Sequence, residues 1–289
     1  MDFYKRIKVI VAGIVLTGSM LVSASVPYVE SLQSVDACGY LQRARYMVEN
    51  CNYVGALDQL REFTELSDKL KSERECEEAV YLTALSHYEL GNSQCVRMLK
   101  EFAATYPSSE YALECKLKVG DYYFFVGDFA FALEYYSEID LSVLDMADNA
   151  TYSYRKAFSL IKTGQFDEAR KLFILLKQNS FYGNASQFYL AYLDYLNEDY
   201  EAALVGFRNV ESGFASSVSS IKSANREYIP TGLEAGYYIA QIEFKQGKYS
   251  DVVKNGRSLL AKQPVAELIP EINRIIGESY YHLGEEESS

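Results

Sequence analysis

Residues 120–136 read GDYYFFVGDFAFALEYY. A small residue, Gly120, is followed seven positions later by Gly127, then by an aromatic, Phe129, and three further on by Ala132, with Tyr136 beyond it. This order describes a helix, a turn and a second helix. Gly120 lets the second helix approach the first closely. Gly127 supplies the left-handed backbone that ends the first helix. Phe129 plugs the junction, and Ala132 repeats the close approach from the second helix.

The same order recurs in both directions along the chain. Downstream it reads Ala157…Gly164-Gln165-Phe166…Ala169…Phe173 and Ala191…Glu198-Asp199-Tyr200…Ala203…Phe207. Upstream it reads Ala44…Cys51-Asn52-Tyr53…Ala56…Leu60. Weaker copies are Ala84…Gly91-Asn92-Ser93…Val96 and Ala240…Gly247-Lys248-Tyr249…Val252, and a half copy, Gly277…Gly284, closes the series. The turn positions are therefore 51, 91, 127, 164, 198, 247 and 284, at intervals of 40, 36, 37, 34, 49 and 37 residues. Fixed-period self-similarity of this kind is the mark of a repeat architecture.

The repeat resembles that of the tetratricopeptide family over about residues 37 to 284. The small first-helix residue matches at Ala44, Ala84, Gly120, Ala157, Ala191, Ala240 and Gly277. The second-helix small residue matches at Ala56, Ala132, Ala169 and Ala203, with Val96 and Val252 as larger substitutes. Asp194 and Glu243 stand where the family carries a large apolar residue, and Lys100 and Gly256 replace the second-helix aromatic. The resemblance implies an all-α, right-handed α-solenoid of about six helix–turn–helix repeats plus a final helix, covering residues 37–289. The interval of 49 places a long Ser-rich inter-repeat segment at about 210–231, read as a loop or a helix extension. The stripe Ile272, Ile275, Ile276 and Leu283 is expected to face inward on the last helix.

The first 25 residues differ from the rest. Lys5, Arg6 and Lys8 precede an uncharged run from Val9 to Val22, and Ser23-Ala24-Ser25 follows. This is the order of a secretory signal peptide, with cleavage expected after Ser25. The apolar run is shorter than a comfortable bilayer span. Residues 26–36 read as a short linker. An exported chain, periplasmic or outer-membrane associated, with no integral span after signal removal, is the expectation.

The chain has 289 residues and a formal charge of −12. That sign repels phosphate backbones and argues against nucleic acid as a partner. No HExxH, CxxC, GxSxG or glycine-rich phosphate loop is present. The two histidines, His87 and His282, read as a core residue and a solvated one. No cofactor, metal or catalytic residue is expected. Five cysteines in an exported chain raise the question of disulfides. Cys51 with Cys95 is the candidate bridge; the alternative is that the cysteines serve as small apolar residues.

In the resembling family the first helices line a concave binding surface. Counted from the turns, the corresponding aromatic positions here are Tyr81, Tyr88, Phe124, Tyr154, Phe158, Phe188, Tyr192, Tyr195, Tyr237 and Phe244. Tyrosine combines apolar area with a hydroxyl and suits interfaces. Two readings stand: an open groove for a protein or peptide partner, or rings packed between adjacent helices. The positions where some family members clamp a C-terminal carboxylate hold Leu41, Tyr81, Leu117, Arg45, Leu85 and Asp121 instead, which argues against that mode. The function implied is a non-catalytic interaction scaffold of the bacterial cell envelope. The link Tyr106-Pro107-Ser108-Ser109 with Tyr111-Ala112 is similar to those of exported bacterial relatives, such as the helical-repeat lipoprotein of the outer-membrane barrel assembly machine. Rival readings are an accessory module for an envelope enzyme or assembly machine, and an (α/α)-barrel carbohydrate-active enzyme.

Overall fold

The computed structural model describes residues 27–66, 71–214 and 227–287. Residues 1–25, expected to be a signal peptide, and residues 215–226 of the Ser-rich segment lie outside them. The described residues form thirteen α-helices and no strand. The chain divides into two compact units, residues 1–90 and 91–289.

The first unit holds α1 (Pro27–Glu49), α2 (Tyr53–Glu65) and α3 (Glu73–Glu89). α1 packs on α2 and α3 packs on both. The expected linker 26–36 is thus helical from Pro27 onward. Leu41, Ala44, Ala56, Leu60 and Phe63 are buried within this unit. Ser72 and Glu75 start α3 with a reciprocal capping box, which satisfies two of its orphan N–H groups.

The second unit holds α4 (Cys95–Thr105), α5 (Ala112–Val126), α6 (Phe129–Ser137), α7 (Met146–Lys162), α8 (Phe166–Leu176), α9 (Gly183–Leu196), α10 (Tyr200–Phe214), α11 (Gly232–Lys245), α12 (Tyr249–Ala261) and α13 (Ile269–Glu287). Each helix packs on the next in sequence. This nearest-neighbour pattern distributes stability along the array. α10 runs on to Phe214, so the long segment begins as a helix extension. Among the described residues no helix is long and apolar enough to cross a membrane.

Six of the seven expected turn positions carry left-handed backbone. Gly127 has φ 84°, and Gly91, Gly164 and Gly247 are alike. Cys51 and Glu198 adopt the same conformation without being glycine, at φ 57° and 60°. At Gly127 the amide donates to the Phe124 carbonyl and the Asp128 amide donates to Tyr123, a Schellman closure. The residue after the turn then opens the next helix: the side chains of Asn52, Asp128 and Asp199 accept from the amides of Gly55, Phe131 and Ala202. The seventh position, Gly284, is not a turn. α13 continues through it to Glu287, and a side chain added at Gly277 or Gly284 would meet open space. Of the stripe expected to face inward, Ile272, Ile275 and Ile276 are buried and Leu283 is half-buried.

The small residues admit close helix approach. A Cβ on Gly120 would lie 2.6 Å from the Tyr136 ring. Ala132, Ala169 and Ala203 are completely buried. Ala169→Leu is expected to cost about 1–3 kcal/mol by overpacking; an unchanged urea midpoint would contradict the assigned register. The departures from the repeat pattern are compensated locally. Asp194 pairs with Arg170 at 2.8 Å. Buried Glu243 accepts two hydrogen bonds from the Asn255 amide. Gly256 leaves the space that Ile276 of α13 fills. Lys100 reaches the Tyr123 hydroxyl at 3.2 Å and lies over the Tyr123 and Tyr135 rings.

All five cysteines are free thiols in this structure, and the candidate pair Cys51 and Cys95 belongs to two different units. Cys51 is exposed in its turn, whereas Cys95 is buried on α4. Burial pushes the Cys115 thiol up to about 12, which leaves it a small apolar side chain. His282 is half-buried rather than solvated and stacks on Tyr249 at 4.5 Å.

Candidate functional site

The aromatic stripe of the first helices is built by 3.6-residue periodicity. Phe124 on α5, Tyr154 and Phe158 on α7, and Phe188, Tyr192 and Tyr195 on α9 recur at three- and four-residue spacing, so each set shares one helix face. The structure closes most of this face. Tyr154 and Phe124 have no exposed surface, and Phe158, Phe188 and Tyr81 retain only 2%, 4% and 6%. These five residues, expected in an open groove, are therefore core. The physical reason differs between them. Tyr81 is buried on α3 in the first unit. Phe188 packs edge-on against Phe207 and Tyr238. The Tyr154 ring is enclosed by Tyr182, stacked on it at 4.5 Å, and by Phe173 and Tyr189, whereas Phe124 and Phe158 are covered by the segment Glu227–Pro230, which precedes α11.

That segment makes a dense set of contacts. The Tyr228 ring stacks on Phe158 at 4.7 Å and meets Phe124 and Phe129 edge-on at 5.5 and 5.7 Å. The Tyr154 and Tyr189 hydroxyls both donate to the Tyr228 carbonyl, at 3.1 and 2.9 Å. Tyr228 itself holds φ 51°, a conformation that costs a non-glycine residue energy and persists where surrounding contacts over-determine it.

Beside the ring lies an ion network. Arg155 donates through Nε to Glu227 at 3.0 Å, through Nη2 to the other Glu227 oxygen, and through Nη1 to Asp121 at 2.6 Å. The Tyr136 and Tyr152 hydroxyls also donate to Asp121, at 2.8 and 3.2 Å. Burial acts to lower the Arg155 pKa, but the Glu227 hydrogen bonds and the two carboxylate charges outweigh it and hold the guanidinium above its ordinary value. Burial pushes the Asp121 carboxyl up, against the pull of Arg155 and Tyr136. Burial likewise raises Tyr136, Tyr152, Tyr154 and Tyr189 above the ordinary phenol range.

What stays accessible lies toward α9 and α11. A cavity of about 590 Å³ opens there, lined among others by Phe158, Lys162, Phe188, Tyr192, Tyr228 and Tyr238. Tyr192 and Tyr195 are half-buried, each 5.3–5.4 Å from the Tyr238 ring. Tyr237 is half-buried against the Leu259–Ile272–Ile276 cluster. Phe244 is half-buried beside Ala240, Val252 and Ile275. Tyr88 is half-buried on α3. Repeat spacing does not single out Arg155, Tyr189, Glu227, Tyr228 or Tyr238. One signal points toward them: Asp121 lies on the aromatic face of α5, and an acid there calls for a buried counter-charge. Among the described residues no three His, Cys, Asp or Glu side chains gather to hold a metal.

A sequence profile of the tetratricopeptide repeat matches residues 78–109. No curated protein sequence matches the chain. Several solved structures share the fold. The C-terminal part of a tetratricopeptide repeat-containing protein from Cytophaga hutchinsonii superposes with a TM-score of 0.57 at 14% identity, covering 85% of this chain and 92% of that one. The apo form of RapI gives 0.53 at 14% identity, over 90% of this chain and 79% of its own. MamA of AMB-1 gives 0.51 at 14% identity, over 66% and 98%. The chain thus has the fold of tetratricopeptide-repeat proteins, one typical of protein–protein interaction scaffolds.

Proposed function

We propose that this chain is a non-catalytic interaction scaffold of the bacterial cell envelope that binds a protein or peptide partner on the aromatic side of α9 and α11. The observation that carries this reading is the cavity beside Tyr192, left open where the neighbouring rings are closed over. Half-buried tyrosines combine preorganised apolar area with a hydroxyl that can hydrogen-bond, the composition of interface anchors. Lys245 lies 5.9 Å above the Tyr195 ring and adds a positive charge beside it.

The mature chain, used as bait in an envelope extract, is expected to retain a defined partner. Replacing both Tyr192 and Tyr195 by Ala should weaken that capture by about tenfold or more, the effect of losing interface anchors, with helicity unchanged. Undiminished capture would remove the tyrosines from the interface. The envelope assignment rests on the basic, apolar and small-residue order of residues 1–25. Mass spectrometry of the protein from its native host should find a chain beginning at Val26, and an intact Met1 would overturn the export reading.

A further inference from the structure

We propose that the face formed by α5, the start of α6, α7 and α9 is a recognition site for a peptide carrying an acidic residue followed by an aromatic one, and that Glu227-Tyr228 is its resident occupant in cis. This rests on the reading of the chain as a peptide- or protein-binding scaffold and names the ligand chemistry of a second region of that scaffold.

Arg155 presents a planar fork to the Glu227 carboxylate, two N–H groups to two oxygens, the arrangement that suits guanidinium to carboxylate recognition. Asp121 holds the same guanidinium from the other side through Nη1, and is itself fixed by the Tyr136 and Tyr152 hydroxyls. The fork therefore stays oriented whether or not Glu227 is present. Next to it, Phe124, Phe129 and Phe158 form a slot in which one aromatic ring is stacked on Phe158 and contacted edge-on by the other two. Between fork and slot, the Tyr154 and Tyr189 hydroxyls converge on one main-chain carbonyl. Any peptide offers that carbonyl, so this contact confers affinity without sequence preference, while the fork and slot select the two side chains.

The occupant does not complete the surface it covers. The cavity of about 590 Å³ continues past Tyr228 and Ile229 toward Tyr192 and Tyr238, leaving room for a longer peptide to extend toward the α9–α11 tyrosines. A tethered occupant acts at an effective concentration in the millimolar range, so a free peptide must compete with it.

The test uses the full mature chain and two fluorescein-labelled peptides: EYIPTG, the sequence of Glu227–Gly232, and a control, QAIPTG. In the Glu227→Gln/Tyr228→Ala double variant the resident carboxylate and ring are gone. That variant is expected to bind EYIPTG about tenfold or more tighter than the wild type does, and to discriminate against QAIPTG by a similar factor. Glu227→Gln alone, which keeps the ring in its slot, should give a smaller gain. A folded double variant that binds neither peptide, or both equally, overturns the proposal. Loss of helicity in the double variant also overturns it, since the segment is then part of the core. If the folded double variant still captures a protein partner through Tyr192 and Tyr195 but ignores EYIPTG, this inference fails while the scaffold reading stands. Loss of the Tyr192/Tyr195 effect with EYIPTG binding intact would do the reverse.

Discussion

Replacing Arg155 by methionine is expected to destabilise the second unit by about 3–5 kcal/mol, the range seen when one partner of a buried ion pair is removed. Methionine keeps much of the volume but none of the donors. Asp121, 5% exposed, would lose its counter-charge and one of three hydrogen bonds. Glu227 would lose both of its hydrogen bonds to Arg155. The loss reflects two stranded carboxylates more than the worth of the pair itself. Adding Asp121→Asn and Glu227→Gln to the methionine variant should therefore recover most of it. Amides carry no charge to desolvate; the Tyr136 and Tyr152 hydroxyls meet different oxygens of Asp121, so an asparagine there can accept from one of them through its oxygen and donate to the other through its amide N–H. Urea denaturation followed by circular dichroism gives the stabilities of the wild type and both variants. A loss below about 1 kcal/mol for the single variant would mean that the guanidinium behaves as a solvated surface charge.

The local architecture is largely legible in the amino-acid sequence. Turn positions announce themselves because a helix ending in left-handed backbone favours glycine, and Gly91, Gly127, Gly164 and Gly247 all adopt it. Cys51 and Glu198 emerge through register alone, since neither residue type signals the conformation it holds. Gly284 misleads for the converse reason. It satisfies the spacing, yet no following helix packs there among the described residues and α13 runs straight through. The buried alanines are readable because their spacing is the repeat itself.

The site is legible only as far as the helix face. Periodicity assigns Tyr154 and Phe158 to one side of α7, but says nothing about what covers that side. The ring that covers Phe158 and the carbonyl that receives the Tyr154 hydroxyl both come from Tyr228, 74 residues away from Tyr154 in sequence, at the end of a segment whose Ser-rich composition gives no hint of a docked ring. Arg155 is equally hidden, because a charge within a helix is normally solvated and its partners lie on α5 and beside α11. On α11 the choice between adjacent tyrosines turns on small differences in helix rotation. Tyr238 stacks on Phe207 at 5.2 Å in the α9–α10 core, while Tyr237 faces the other cluster.

The tyrosine-rich first-helix face of the second unit is closed core, with the open surface confined to the α9–α11 end. Alkaline titration tests this central claim most directly. Burial raises the pKa of Tyr136, Tyr152, Tyr154, Tyr182, Tyr189, Tyr192, Tyr195 and Tyr238 in the folded protein. In the unfolded chain each returns to about 10. Below that pH both states are protonated and the contribution to stability is complete. Above it the unfolded state releases protons that the folded state keeps, so stability falls as pH rises, by up to about 1.4 kcal/mol per pH unit for each fully buried phenol. Tyr136, Tyr154 and Tyr189 alone would remove about 4 kcal/mol by pH ~11, a large share of the roughly 5–15 kcal/mol by which proteins are stable. Tyrosinate absorbance and helicity should be recorded together as pH is raised. The expected result is a cooperative phase in which the buried phenols ionise only as the helices melt. Smooth ionisation of all 26 tyrosines near pH ~10 with helicity intact would contradict it.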